Sequence, residues 1–231
     1  MPSCPRQLAL ALDHAESFAR EDFLPGPGNQ AALKLIESWP DWPANAVALV
    51  GPEGSGKSHL ATIWAAAAGA RVISGRALNQ NGLRAALATG ALVVEEAVAA
   101  DERALFHLIN LAREEEGYLL FTARSAPSLW PVAVADLGSR LRALPAITLQ
   151  PPDDAMLRGV IIKVAADRQL ALDDGVVRYL SSHIERSFAA ARAAVIALDN
   201  EALRQGRAPS RALAAEMFRD ASETSQTAEE A

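Results

Sequence analysis

The sequence is short of the residues that staple small domains or cage metals. A single cysteine, Cys4, stands in 231 residues, which excludes an intramolecular disulfide and any cysteine cluster for metal. Four histidines, His14, His59, His107 and His183, are scattered without ligand spacing, so none is expected to form a metal site. Lysine is equally scarce: Lys34, Lys57 and Lys163 are the only three, and arginine makes up the rest of the basic set. With a formal net charge of −6, the chain lacks the clustered cations that non-specific nucleic-acid binding requires. No apolar run reaches the length of a membrane span. The first residues show no basic-then-apolar secretory pattern. A cytoplasmic protein with no membrane partner is the expectation that follows.

Half of the residues are hydrophobic, enough to bury a core for one large or two small domains. The most informative segment is Gly51-Pro52-Glu53-Gly54-Ser55-Gly56-Lys57-Ser58, a full phosphate-loop pattern set between the apolar run Val47 to Val50 and a helix-like stretch from His59 to Ala68. Glycines let such a loop curl so that backbone N–H groups and the next helix N-terminus face a polyphosphate. Lys57 would reach the β/γ-phosphates. The hydroxyl of Ser58 would ligate a Mg²⁺ ion that arrives with the nucleotide.

The pattern along the chain predicts alternating strands and helices. Residues 1–22 read as a flexible leader, followed by the turn-rich segment Phe23 to Asn29 and a helix from Gln30 to Ser38. Strands are expected at Val47–Val50, Ala70–Ser74, Ala91–Val94, Tyr118–Ala123 and Ala146–Leu149. Helices are expected at Gly82–Thr89 and from an Asp101 cap to about Glu116. This is an α/β fold with a mainly parallel sheet of five strands over 23–150. Beyond Pro151-Pro152 the apolar positions recur at helical spacing, predicting a helical subdomain over 151–220. An acidic, polar tail at 221–231 is expected to be disordered.

A nucleotide site also needs carboxylates at the end of a neighbouring strand, and Leu92-Val93-Val94-Glu95-Glu96 supplies two. Glu95 would assist the metal and Glu96 would orient the attacking water. Thr122, at the end of the fourth strand, is placed to touch the terminal phosphate or that water. Arg140, in a helix-like segment before the fifth strand, would act in its own site or in a neighbour's. Arg186 precedes the run Ser187 to Ala191 and would open a helix with its charge toward phosphate, since the helix dipole disfavours an unpaired cation there.

These pieces in this order resemble the AAA+ ATPases, and more narrowly their DnaA-like branch, over about residues 18–218. The segment Phe23 to Asn29 is similar to the one that packs near adenine in that branch, and Gly51 to Leu60, including His59, resembles its extended phosphate loop. The resemblance implies a five-stranded AAA+ core with a C-terminal helical lid. Glu95-Glu96 would be the Walker B pair, Thr122 sensor 1, Arg140 the arginine finger and Arg186 sensor 2. Glu95 stands where aspartate is usual, so its carboxylate reaches further out and metal binding and hydrolysis are expected to be weaker. The chain ends soon after the lid pattern, where an initiator would continue into a DNA-binding domain, so it is most similar to the short regulatory members of the branch.

Gln7-Leu8-Ala9-Leu10-Ala11-Leu12 resembles the peptide with which those regulators bind the β sliding clamp of DNA polymerase III. Gln7 would be the polar anchor, and Leu8, Leu10 and Leu12 the apolar ones. Ala11 replaces the usual proline and leaves the peptide less preorganised. The resemblance therefore implies ADP or ATP with Mg²⁺ as cofactors, DnaA and the clamp as partners, DNA contact only through the clamp, and self-association as a further possibility. Two other readings stay open. One is an ATP-hydrolysing helicase loader or transposition helper of the DnaC and IstB type, whose loops carry the same Gly-Lys-Ser/Thr-His-Leu. The other is a catalytically inert nucleotide-binding interaction module.

Overall fold

A computed structural model describes residues 18–219, which fall into two compact units, 18–152 and 153–219. Gln7, Leu8, Leu10 and Leu12 and the acidic tail at 221–231 lie outside the described residues.

The first unit contains α1 (Gln30–Glu37), β1 (Ala46–Val50), α2 (Lys57–Ala68), β2 (Arg71–Ser74), α3 (Leu83–Ala86), β3 (Ala91–Glu95), α4 (Glu102–Glu114), β4 (Tyr118–Ala123), α5 (Ala135–Ala143) and β5 (Ala146–Thr148). The strands form one parallel sheet in the order β2-β3-β4-β1-β5. β1, β3 and β4 are continuous apolar runs because both faces of the sheet are covered. Strand alternation divides their side chains between two cores. Val47, Leu49, Val93 and Leu120 join Leu33 and Ile36 of α1 and Leu60 and Trp64 of α2. Ala48, Val50, Leu92, Val94, Leu119 and Phe121 join Leu83, Leu105, Leu108, Leu137 and Leu141 of α3, α4 and α5. On the first face Trp42 stacks on Trp64 with ring centroids 4.8 Å apart.

The expected helix at Gly82–Thr89 is shorter in the structure. Only Leu83–Ala86 is α-helical, and a 3₁₀ turn at Gln80–Gly82 precedes it. The chain must reverse at Gly90, whose φ is +77°, to enter β3, which leaves no room for another helical turn. The turn-rich segment before α1 is tied by Asn29, a buried side chain that accepts from the Gly26 N–H at 2.8 Å and donates to the Leu24 carbonyl at 3.0 Å.

The second unit is helical: α6 (Asp154–Asp167), α7 (Asp174–His183), α8 (Phe188–Gln205) and helical residues 211–219. Leu157, Ile161, Val176, Leu180, Val195, Leu198 and Leu213 form its buried interior. An Arg168–Asp199 ion pair at 2.7 Å, largely shielded from solvent, joins the end of α6 to α8. Among the described residues no helix is long and apolar enough to cross a membrane.

Candidate functional site

β1 delivers the chain directly into the phosphate loop. The Gly51 N–H donates to the Ala123 carbonyl at 3.1 Å, so the loop starts against the end of β4. A Cβ on Gly51 would lie 2.6 Å from the Leu149 carbonyl oxygen, which only glycine avoids. Gly56 closes the loop with φ +96° and precedes α2 with no side-chain cap. By contrast Asp101, Asp153, Asp173 and Ser187 cap α4, α6, α7 and α8 through their side chains. No side chain caps the N-terminus of α2, and no acidic residue stands in its first turn, so the helix dipole there favours an anion. The buried Ser55 hydroxyl, within the loop, has no hydrogen-bond partner among the described residues.

Lys57 folds back to donate to the Pro52 carbonyl at 2.6 Å. Its pKa is pushed below the ordinary lysine value, first by partial burial of the ammonium and next by the positive charge of Arg124; Glu53, Glu95 and Glu96 pull the other way. Lys57 and Glu53 of the loop, both strand-end carboxylates and Arg124 therefore share one local field.

The sheet explains why. β4 lies between β1 and β3, and Thr122 is in register with Leu49. Val94 pairs with Phe121, so Thr122 stands beside the strand-end carboxylates. Thr122 is buried, and its Oγ1 accepts from the Glu96 N–H at 3.2 Å. Glu96 adopts a left-handed conformation with φ +50°, a strain of about 1 kcal/mol for a residue with a Cβ. The hydrogen bond to Thr122 holds it in that conformation.

Four predicted residues have other local settings. Ser58 is exposed at the start of α2, and its carbonyl accepts from the Thr62 hydroxyl at 2.9 Å. The His59 ring hydrogen-bonds the Ala19 carbonyl at 3.0 Å and meets Phe18 and Phe23 edge to face, fastening residues 18–23 to α2. The Arg140 guanidinium lies 5.3 Å from the centre of the Phe106 ring on α4, on the sheet face opposite α2. Glu102 at the start of α4 fixes the approach to α5 by accepting from the N–H groups of Ala133 and Val134 at 2.9 and 3.2 Å. Arg186 belongs to the helical unit and pairs with Asp154 at 2.6 Å. Ser187 is the residue that caps α8.

Arg124 is the residue that sequence reasoning passed over. It pairs with Glu53 at 2.5 Å. Its place directly after Thr122 and Ala123 was the available signal.

The donor set fits a nucleotide polyphosphate: a helix N-terminus without a side-chain cap, a lysine held at the loop, and a buried loop hydroxyl without a partner among the described residues. For Mg²⁺ the loop and strand end offer the Ser58 hydroxyl and the Glu95 carboxylate. That suits an ion held mainly by phosphates and water; among the described residues no cluster of three or more His, Cys, Asp or Glu could hold a metal.

A parallel sheet in this order, a phosphate loop after β1, carboxylates at the end of β3 and a separate helical unit together define the AAA+ fold. The chain is 31% identical over 173 residues to the chromosomal replication initiator protein DnaA of Caulobacter vibrioides, a match covering 63% of this chain and 35% of that one. It spans about a third of the length of that relative. Domain III of Thermotoga maritima DnaA superposes with a TM-score of 0.72 at 19% identity, covering 88% of this chain and 96% of that domain. AMPPCP-bound DnaA from Aquifex aeolicus gives 0.66 at 17% identity, covering 80% and 66%. The Thermotoga maritima RuvB Holliday junction branch migration motor gives 0.71 at 18% identity, covering 88% and 72%. At these identities the solved structures establish the fold alone. No family model matches the chain.

Proposed function

We propose that the chain is a regulatory AAA+ protein of the Hda type, one that binds ADP or ATP with Mg²⁺ and stimulates ATP hydrolysis by DnaA. In this reading Gln7, Leu8, Leu10 and Leu12 dock on the β sliding clamp, which brings the protein to DNA. Arg140 enters the nucleotide site of DnaA and stabilises charge on the transferred phosphoryl group. An arginine supplied in trans is worth on the order of a thousandfold in rate. The bound nucleotide, held by Gly51 to Ser58 with His59 and Thr122 responding to it, supports the shape of the interface.

The observation that carries the reading is the setting of Arg140. It rests on Phe106 on the face opposite α2, away from the charges around Lys57, so its own phosphate loop is a poor target and a second molecule a better one. The DnaA relative supports the choice of partner, and the AMPPCP-bound DnaA neighbour supports adenine nucleotide.

Reconstitution tests this directly. DnaA carrying labelled ATP is followed with clamp and DNA present. The protein should accelerate loss of the label, and Gln7→Ala should bind the clamp less tightly and accelerate it less. Unchanged hydrolysis on adding the wild type overturns the proposal.

A second reading, an ATP-hydrolysing loader, is favoured by the Thr122 contact that holds Glu96, because a positioned carboxylate beside the loop suits hydrolysis in the protein's own site. Turnover stimulated by single-stranded DNA, with no clamp binding, would select it.

A further inference from the structure

The Glu53–Arg124 ion pair joins the phosphate loop to the segment that follows β4. Glu53 is inside the phosphate loop, and Arg124 directly follows β4, whose last residue accepts the hydrogen bond from Gly51. Their side chains are 69% and 78% exposed for Arg124 and Glu53 respectively, so water competes for both and the pair contributes little to stability. The same guanidinium is the leading charge acting on Lys57. Two cations therefore face one loop, with a glutamate of that loop holding one of them.

We infer that Arg124 is a second phosphate-binding cation of the loop and that Glu53 holds it in reserve until a nucleoside polyphosphate displaces the carboxylate. This rests on the nucleotide-binding reading above and deepens it. Phosphate oxygens entering the loop repel the Glu53 carboxylate and attract the Arg124 guanidinium, so one event drives both halves of the exchange. Arginine suits the exchange because its planar fork bonds a phosphate as readily as a carboxylate. An anion shared by Lys57 and Arg124 would also remove their mutual repulsion. Since the lysine of such a loop reaches the β/γ-phosphates, Arg124 meets the phosphates farthest from the ribose and favours a triphosphate over a diphosphate.

The test is a calorimetric titration of the full chain with ADP and with a non-hydrolysable ATP analogue and Mg²⁺, for the wild type, Arg124→Ala, Glu53→Gln and the double variant. Arg124→Ala should weaken the analogue about tenfold and ADP by less. Glu53→Gln should tighten the analogue about threefold, because the competitor is gone. The double variant should bind the analogue more weakly than Glu53→Gln, and the gain from removing Glu53 should be smaller without Arg124, since part of that gain comes from freeing the guanidinium. Both positions are exposed, so unliganded melting temperatures should hardly move. Analogue binding by Arg124→Ala within twofold of wild type, or weakening by Glu53→Gln, overturns the inference while leaving nucleotide binding intact. A wild type that binds neither nucleotide overturns both.

Discussion

Replacing Lys57 with alanine should separate nucleotide binding from folding, because the structure gives the ammonium opposite roles in the two. In the unliganded protein Lys57 is partly buried and repelled by Arg124, and it gains one hydrogen bond to the Pro52 carbonyl. Its loss therefore removes a small cost and a small benefit together, and the unliganded melting temperature should change little. With nucleotide the lysine would make charge-assisted contacts worth about 1.5–3 kcal/mol. At a free nucleotide concentration about 100 times the wild-type Kd, linkage stabilises the folded state by about 2.7 kcal/mol. For a chain of this length that corresponds to a rise of about 5–11 °C. Losing about 1.5–3 kcal/mol of binding weakens the Kd about 10- to 150-fold. The same nucleotide then contributes only about 0.3–1.4 kcal/mol, so the rise falls to half or less. Differential scanning fluorimetry with and without ADP or ATP reads this directly. A Lys57→Ala protein that is still stabilised as much as wild type would refute the assignment of the loop as the phosphate site.

Three further outcomes follow from the same contacts. Thr122→Val should cost about 1 kcal/mol in urea unfolding, since it leaves the Glu96 N–H without its acceptor, and Thr122→Ser should recover most of it. Asp101→Ala removes the carboxylate that accepts from the Ala104 N–H at the start of α4; a loss of about 1 kcal/mol and 2–4 °C in melting temperature is expected without a change in nucleotide affinity. Because Lys57 carries a lowered pKa, the folded unliganded protein releases that proton at lower pH than the unfolded chain does. The cost of the charged lysine is thus full below the folded pKa and is relieved as pH rises through it toward 10.5. Bound phosphate favours the charged form, so nucleotide affinity should fall across that alkaline window, accompanied by proton uptake on binding in calorimetry.

The parts of this molecule legible in its sequence are those whose cause is local. The apolar runs of β1, β3 and β4 declare strands covered on both faces, and Tyr118–Ala123 has the expected bounds. Asp101 caps α4 as its spacing implies. The phosphate loop is legible because its glycines are required by backbone geometry within eight consecutive residues. The short α3 was harder to read, since the apolar spacing continues past the point where Gly90 must turn the chain. What could not be read locally are the partners of the charges. Glu53 and Arg124 are 71 residues apart and meet because the sheet order places β4 beside β1. Phe106 and Arg140 meet because α4 and α5 share one face of the sheet. Arg186 and Asp154 meet through the packing of the helical unit, 32 residues apart in sequence. Charges of this kind are identified by type in a sequence, and only topology pairs them.

The proposed function turns on an arginine of this chain working in another protein's site. Its most direct test is the rate at which DnaA-bound ATP is hydrolysed with clamp and DNA present, comparing wild type with Arg140→Ala at concentrations where both variants bind nucleotide and clamp equally. The stimulation seen with wild type should be lost with Arg140→Ala while both binding steps persist. Undiminished stimulation by the variant would contradict it.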